Sequence, residues 1–389
     1  MRIAIPIHSF EPGGVERVAL RLAERWREDG EEVVVVLGRD RGAARMSAPK
    51  LDYRTRSEPI ATDWWETIWM IWSLYRFLLS EEVDAIFCPG NTYTVVCVAM
   101  KVLLGTRCPP VLVKVSNEVD RSDMPAPGRA AYGLWLRLQG IYLEHFVAIA
   151  EPMQQQIERK FDVARRKVVC IPDPALARWE FDRAATTHSK GERRPGRQFL
   201  SVGRLCPQKN QALLIDAFAR CADAGDTLII AGEGPERRRL EARIKRLDLT
   251  NRVSLPGHVD DVSALYAAAD VFVLSSDYEG VPAVIIEALA AGLPIAATDC
   301  CVSMEWLVGH GRFGVLAPCR DIERLGAAMV QAARMKAPVA QMRSLAARFT
   351  LENSSRLYLR EFARIASADG TAPLATSQGG LRNWAERGV

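Results

Sequence analysis

Short apolar runs recur along this chain, and each is followed by a stretch in which apolar residues return every third or fourth position. Runs that are apolar throughout suit strands buried on both faces of a parallel sheet, and the helical patterns between them supply the crossovers. Strands are predicted in the first half near 2–7, 32–37, 84–88, 111–115, 145–149 and 168–171. In the second half they fall near 198–202, 227–231, 252–255, 270–275, 294–298 and 313–316. Between the halves stand Pro172-Asp173-Pro174 and the basic segment HSKGERRPGR at 188–197, a composition that suits an exposed linker. The expected organisation is α/β: a doubly wound, Rossmann-like domain over 1–175, a linker over 176–197 and a second such domain over 198–366. Residues 367–389, rich in Ala, Gly, Ser and Thr and without a period, read as a disordered tail. Two facing domains of this kind create a cleft at the carboxyl ends of their strands, where ligands bind in such folds.

The stretch DVFVLSSDYEGVPAVIIEALAAGLPIAAT, residues 270–298, carries the most chemistry. A strand ends at Ser275-Ser276, an acidic loop with Asp277, Glu279 and Gly280 follows, and Pro282 opens a helix that Gly292 and Pro294 end. That helix, 283–291, is apolar on every side except at Glu287, so it is expected to be buried. A carboxylate there costs several kcal/mol unless something hydrogen-bonds to it. An arginine or backbone amides would serve as a structural partner. The second acid favours function: Glu279 sits in the loop facing the helix start, a ready anion site, so the pair suits a sugar nucleotide. Upstream, strand 198–202 runs into Gly203-Arg204-Leu205 and then Lys209-Asn210. A guanidinium fork and an ammonium at a strand's carboxyl end neutralise a diphosphate without a metal, although solvated charges are common in such loops. Gly13-Gly14 precede a helix over 15–27, which allows close approach of a phosphate or marks a plain tight turn.

Composition narrows the partners. The chain has 389 residues, is 49% hydrophobic and carries a formal charge of +4, too small at this length to indicate nucleic-acid binding. Its nine cysteines are scattered and form no C-x-x-C pair, and neighbouring Cys300 and Cys301 are poorly placed to bridge, which points to a reducing, cytoplasmic compartment. The first residues read as a strand rather than a signal peptide, and no apolar run reaches the ~20 residues of a membrane span.

Glu279 and Glu287 stand as E-x7-E within SSDYEGVPAVIIEALAAGLPI, and this resembles the signature of the family 4 retaining glycosyltransferases, which have the GT-B fold of two facing Rossmann-like domains. GRL-x3-KN at 203–210, PGGVERV at 12–18 and GEGP at 232–235 recur in the family's order, so the resemblance covers roughly 1–365. It implies that Arg204 and Lys209 hold the donor diphosphate and stabilise the departing nucleotide. Glu279, with the backbone of Gly280 and Val281, would lie by the transferred sugar, and Glu287 would bind the ribose hydroxyls. Gly13 and Gly14 would close over donor and acceptor, with Gly234 near the nucleotide. The implied reaction is transfer from a nucleoside-diphosphate sugar, best a UDP-sugar, with retention and with neither metal nor other cofactor. The acceptor would be a glycan or lipid-linked glycan in surface polysaccharide synthesis.

Two features depart from the family pattern. Many relatives carry a histidine beside the transferred sugar where this chain has VSNEVD at 115–120, so Asn117 and Glu118 are candidates for its role, or ordinary loop residues. Cys300-Cys301-Val302-Ser303 replace a glycine pair of some relatives, and His8 and His145 read as satisfied core histidines. The segment DWWETIWMIWSLYRFLL at 63–79 is either a core helix or a surface helix that dips into the cytoplasmic face of a membrane. Rival readings are a sugar-nucleotide epimerase or hydrolase of the same architecture, and a silent sugar-nucleotide-binding protein.

Overall fold

The computed structural model describes residues 1–11, 13–58, 62, 64–116, 119, 124–186 and 196–366. The first half builds a seven-stranded parallel sheet from β1 (Arg2–Ile7), β2 (Glu32–Leu37), β3 (Asp52–Thr55), β4 (Ala85–Cys88), β5 (Val111–Val115), β6 (His145–Ala148) and β7 (Val168–Cys170), in the order β3-β2-β1-β4-β5-β6-β7. The second half builds a six-stranded parallel sheet from β8 (Gln198–Val202), β9 (Thr227–Ala231), β10 (Val253–Gly257), β11 (Val271–Leu274), β12 (Ile295–Thr298) and β13 (Gly314–Ala317), in the order β10-β9-β8-β11-β12-β13. Both orders reverse beside the first strand of the half, between β1 and β4 and between β8 and β11, which opens the crevice where ligands bind in doubly wound sheets. Every strand expected from the apolar runs is present. The one not foreseen, β3, is an edge strand of sequence DYRT whose residues are mostly exposed, so no apolar run announces it.

Strand residues alternate between two cores. Ala4, Val34, Val36, Ile86 and Val113 face the layer of helices Glu66–Leu78, Thr94–Leu104 and Ala126–Tyr142, while Ile3, Ile5, Val35 and Phe87 face helix Gly14–Glu28. That second layer is completed by helix Leu351–Ala366 from the far end of the chain. Its Tyr358 and Phe362 pack edge-on around Trp26 and Phe87, and Ser355 Oγ donates to Asp29 Oδ2 at 3.1 Å. The sequence-based division assigned 351–366 to the second domain; its apolar face is instead buried in the first. The expected linker also carries structure. Helix Arg178–Thr186 buries Phe181 in the second core, against helix Ala283–Ala291, and residues 187–195 lie outside the described residues.

Helix Glu66–Leu78 divides the two alternatives raised for it. Trp69, Met70, Leu74 and Phe77 are buried, with Trp69 Nε1 donating to the Gly38 carbonyl at 2.7 Å, while Ile68 and Trp72 face outward. No helix among the described residues is long and apolar enough to cross a membrane.

Candidate active site

A cleft of about 1180 Å³ lies between the halves. Its walls are the loops after β1 and β2 and, from the second half, the loops after β8, β9, β10 and β11. Gly13, Gly14, Arg204, Lys209, Glu279 and Glu287 all line it.

The loops after β8 and β11 are joined by hydrogen bonds to backbone carbonyls. Ser275 Oγ donates to the Lys209 carbonyl at 2.9 Å, Gln208 Nε2 donates to the Tyr278 carbonyl at 2.8 Å, and the Asp277 N–H donates to the Gln208 carbonyl at 2.8 Å. Asn210, in a left-handed conformation, caps the next helix by accepting from Leu213 N–H and donates to Asp277 Oδ1 at 3.0 Å. This frame holds the charged groups. Lys209 Nζ pairs with Glu279 Oε1, and the same oxygen accepts from Ser276 Oγ at 2.7 Å. Arg204 is exposed at the cleft and makes no hydrogen bond or ion pair with the described residues, while its carbonyl is fixed by Gln211 Nε2 at 2.9 Å. One paired cation and one without a partner among the described residues thus stand at the same strand end and line the cleft.

Glu287 reaches the cleft from helix Ala283–Ala291, whose residues 285, 286 and 288–291 fill the second core. Its partner is neither an arginine nor backbone amides: the Tyr266 hydroxyl donates to Oε2 at 2.8 Å. Burial raises the Glu287 carboxyl above the usual glutamate range, opposed by the Tyr266 hydrogen bond; the charge of Glu180 adds to the rise, and Arg17 and Arg21 counter it. Burial likewise pushes the Tyr266 phenol well above its ordinary value.

Three of the expected donor contacts do not line the cleft. Gly234 is outside the cleft wall, and a Cβ on it would stand 2.2 Å from the Leu205 carbonyl oxygen. Its glycine is therefore needed for packing of the loop after β9 against the Arg204 loop, as is Gly232. Gly280 and Val281 are also outside the wall, and Val281 packs against the cores of both halves. Asn117 and Glu118 lie outside the described residues. His145 meets Arg364 at 3.2 Å, but neither ring nitrogen of His8 has a hydrogen-bond partner among the described residues. His8 is 8% exposed, stacks on Tyr93 and has its pKa lowered chiefly by burial, so it is not the satisfied histidine that was expected. Among the described residues no group of three or more His, Cys, Asp or Glu side chains is arranged to hold a metal.

Several cleft residues escaped sequence reasoning. Glu16 accepts from the Tyr93 hydroxyl at 2.8 Å, Arg17 is exposed in the first turn of its helix, and Arg21 meets Glu180 of the second half at 3.6 Å. Their helical spacing after Gly13-Gly14 was the available signal. Tyr266 had none, because only the packing of its short helix, Ser263–Ala268, against Ala283–Ala291 brings it to Glu287.

Residues 12–174 match the family described as Glycosyltransferase Family 4, and residues 196–334 match Glycosyl transferases group 1. The chain belongs to the family 4 glycosyltransferases. Among relatives, an exopolysaccharide phosphotransferase of Streptomyces coelicolor is 29% identical over 214 residues, which span 54% of this chain and 22% of that protein. A lipopolysaccharide core biosynthesis glycosyltransferase of Rhizobium meliloti is 34% identical over 132 residues, 34% of this chain and 38% of that protein. The matched stretches thus span well under two thirds of either relative. Anabaena HepE in complex with UDP aligns over 93% of this family 4 chain and 100% of its own, with a TM-score of 0.71 and 20% identity. The fold is GT-B.

Proposed function

We propose that this protein transfers a sugar from a nucleoside-diphosphate sugar, a UDP-sugar, to a glycan or lipid-linked glycan in surface polysaccharide synthesis. The observation that carries the reading is the convergence of Arg204, the Lys209–Glu279 pair and Glu287 on one cleft closed from the other side by Gly13 and Gly14. Relatives named for exopolysaccharide and lipopolysaccharide synthesis, and the UDP complex of HepE, support the substrate class.

In this reading Glu287 accepts hydrogen bonds from the ribose, and Arg204 and Lys209 hold the diphosphate. The bond from the anomeric carbon to the diphosphate oxygen breaks as the acceptor oxygen bonds to the same face, which retains configuration. The acceptor proton passes to the leaving phosphate oxygen. The two cations stabilise the charge that builds there, without a metal or other cofactor. Glu279 fixes the Lys209 ammonium and borders the sugar.

A membrane partner fits the first half. Helices Glu66–Leu78, Thr94–Leu104 and Ala126–Tyr142 form one layer, and the exposed Trp64, Ile68, Trp72, Leu103, Leu134 and Ile141 lie on these helices or just before them. The latter two helices carry no acidic residue, and Arg107, Arg129 and Arg137 are exposed beside them. Apolar side chains among cations suit the anionic cytoplasmic face of a bilayer.

Glu279→Ala tests the reaction. Transfer, followed as UDP release dependent on acceptor, should fall roughly 100-fold or more with the melting temperature nearly unchanged, the scale of losing one electrostatic contributor. Undiminished transfer would remove Glu279 from the mechanism. UDP release without acceptor would favour a hydrolase.

A further inference from the structure

Glu287 stands between two cavities. It lines the large cleft, and it also lines a smaller cavity of about 200 Å³ bounded by Trp179, Arg183, Asp261 and Tyr266. A glutamate on such a wall has two directions to occupy, and only one presents it to a ligand in the cleft.

Tyr266 restricts that choice. The residue is 4% exposed, and its ring stacks on Phe272 of β11 with centroids 5.6 Å apart and an interplanar angle of 26°. The ring is therefore set by packing, and its hydroxyl has two acceptors in reach: Glu287 Oε2 at 2.8 Å and the Val284 carbonyl at 3.3 Å. The shorter contact goes to the group that carries charge, the stronger kind of hydrogen bond. Oε1 of Glu287 accepts no hydrogen bond from the described residues and is not sealed from the cavities. The two oxygens are thus differentiated, one engaged by the protein and one left over.

Resting on the reading of the cleft as the donor site, we infer that Tyr266 is the positioning residue of that site: it holds Oε2 of Glu287 so that Oε1 meets the donor's ribose hydroxyls. The phenol also favours the ionised carboxylate against the burial that raises its pKa. The charged groups around this carboxylate are Arg17 and Arg21 on helix Gly14–Glu28, Glu180 and Arg183 on helix Arg178–Thr186, and Asp260 and Asp261 before Tyr266. Arg183 is engaged by Asp261 at 2.6 Å, and Arg21 by Glu180 at 3.6 Å, so neither replaces the phenol as the direct partner.

UDP binding to the full chain, measured by calorimetry from acidic to neutral pH, tests this with Tyr266→Phe, Glu287→Gln and the double variant. Tyr266→Phe keeps the ring on Phe272 and removes one oxygen. It should weaken UDP roughly tenfold, the scale of one hydrogen bond to a charged group. The acidic limb of binding should move to higher pH, and the donor KM should rise with little change in kcat. On the Glu287→Gln background the same change should cost little more, because Tyr266 acts through Glu287. Glu287→Asp is the second variant: it leaves Tyr266 untouched and draws the carboxylate out of its reach, with a comparable expected loss. Parent-like UDP binding by Tyr266→Phe at every pH, or by Glu287→Asp, would overturn the inference. An equal loss from Tyr266→Phe with and without Glu287 would also overturn it, since the effect would then be structural. If the parent binds no UDP at all, the donor reading fails together with the inference. A parent that binds UDP beside an unaffected Tyr266→Phe sinks the inference alone.

Discussion

Glu287 shows how one side chain's surroundings set a conflict between stability and binding. Burial raises its carboxyl above the ordinary value of 4.5, so the fold favours the protonated acid. The stability linked to that preference is complete below the unfolded value and is lost as pH rises through the folded one. At neutral pH the ionised form therefore weighs against the fold, while the proposed contact with donor hydroxyls is stronger with it. Glu287→Gln keeps an oxygen for the Tyr266 hydroxyl and removes the charge. In the absence of nucleotide it should melt above the parent at neutral pH, and the difference should vanish on acidification below the ordinary glutamate range. Thermal unfolding across pH checks this; a variant that melts below the parent at neutral pH contradicts it. A site residue whose removal stabilises the protein is expected where function opposes packing.

At the scale of elements, helix Leu351–Ala366 fastens the end of the second half to the first sheet through Tyr358 and Phe362 against Trp26 and Phe87. Phe362→Ala should cost about 3–5 kcal/mol in urea unfolding followed by tryptophan fluorescence, the loss typical of a fully buried aromatic. A cost near zero would mean that the helix is not part of the first core. The exposed layer makes a second prediction. Replacing Trp64 and Ile68 together by serine should abolish binding to vesicles containing anionic lipid without lowering the melting temperature, because the two are 82% and 61% exposed. Vesicle binding equal to the parent's would leave that face without a membrane role. Twelve strands and the helix after Pro282 were legible because apolar runs and Pro and Gly punctuation mark them directly. Polar β3 and the return of helix Leu351–Ala366 were not, because an exposed edge strand has no apolar signature and domain membership depends on distant partners.

At the scale of the whole molecule, two sheets with the same reversal of strand order bring cations, acids and glycines that are remote in sequence to one cleft. Glu287 could be picked out in the sequence because a carboxylate interrupts an otherwise apolar helix, and Arg204, Lys209 and Glu279 because they stand in motifs that resemble the family's. Tyr266 could not, since an ordinary tyrosine gains meaning only from what packs beside it. The central claim is that this cleft holds the diphosphate and ribose of a UDP-sugar. Thermal unfolding of the full chain with UDP, GDP and ADP tests it most directly, since a ligand at ~100 times its dissociation constant adds about 2.7 kcal/mol to the native state. The account predicts that UDP raises the melting temperature, that GDP and ADP do so less, and that Arg204→Ala diminishes the rise. No rise with any nucleotide, or a rise with UDP that Arg204→Ala and Glu287→Gln leave intact, would contradict it.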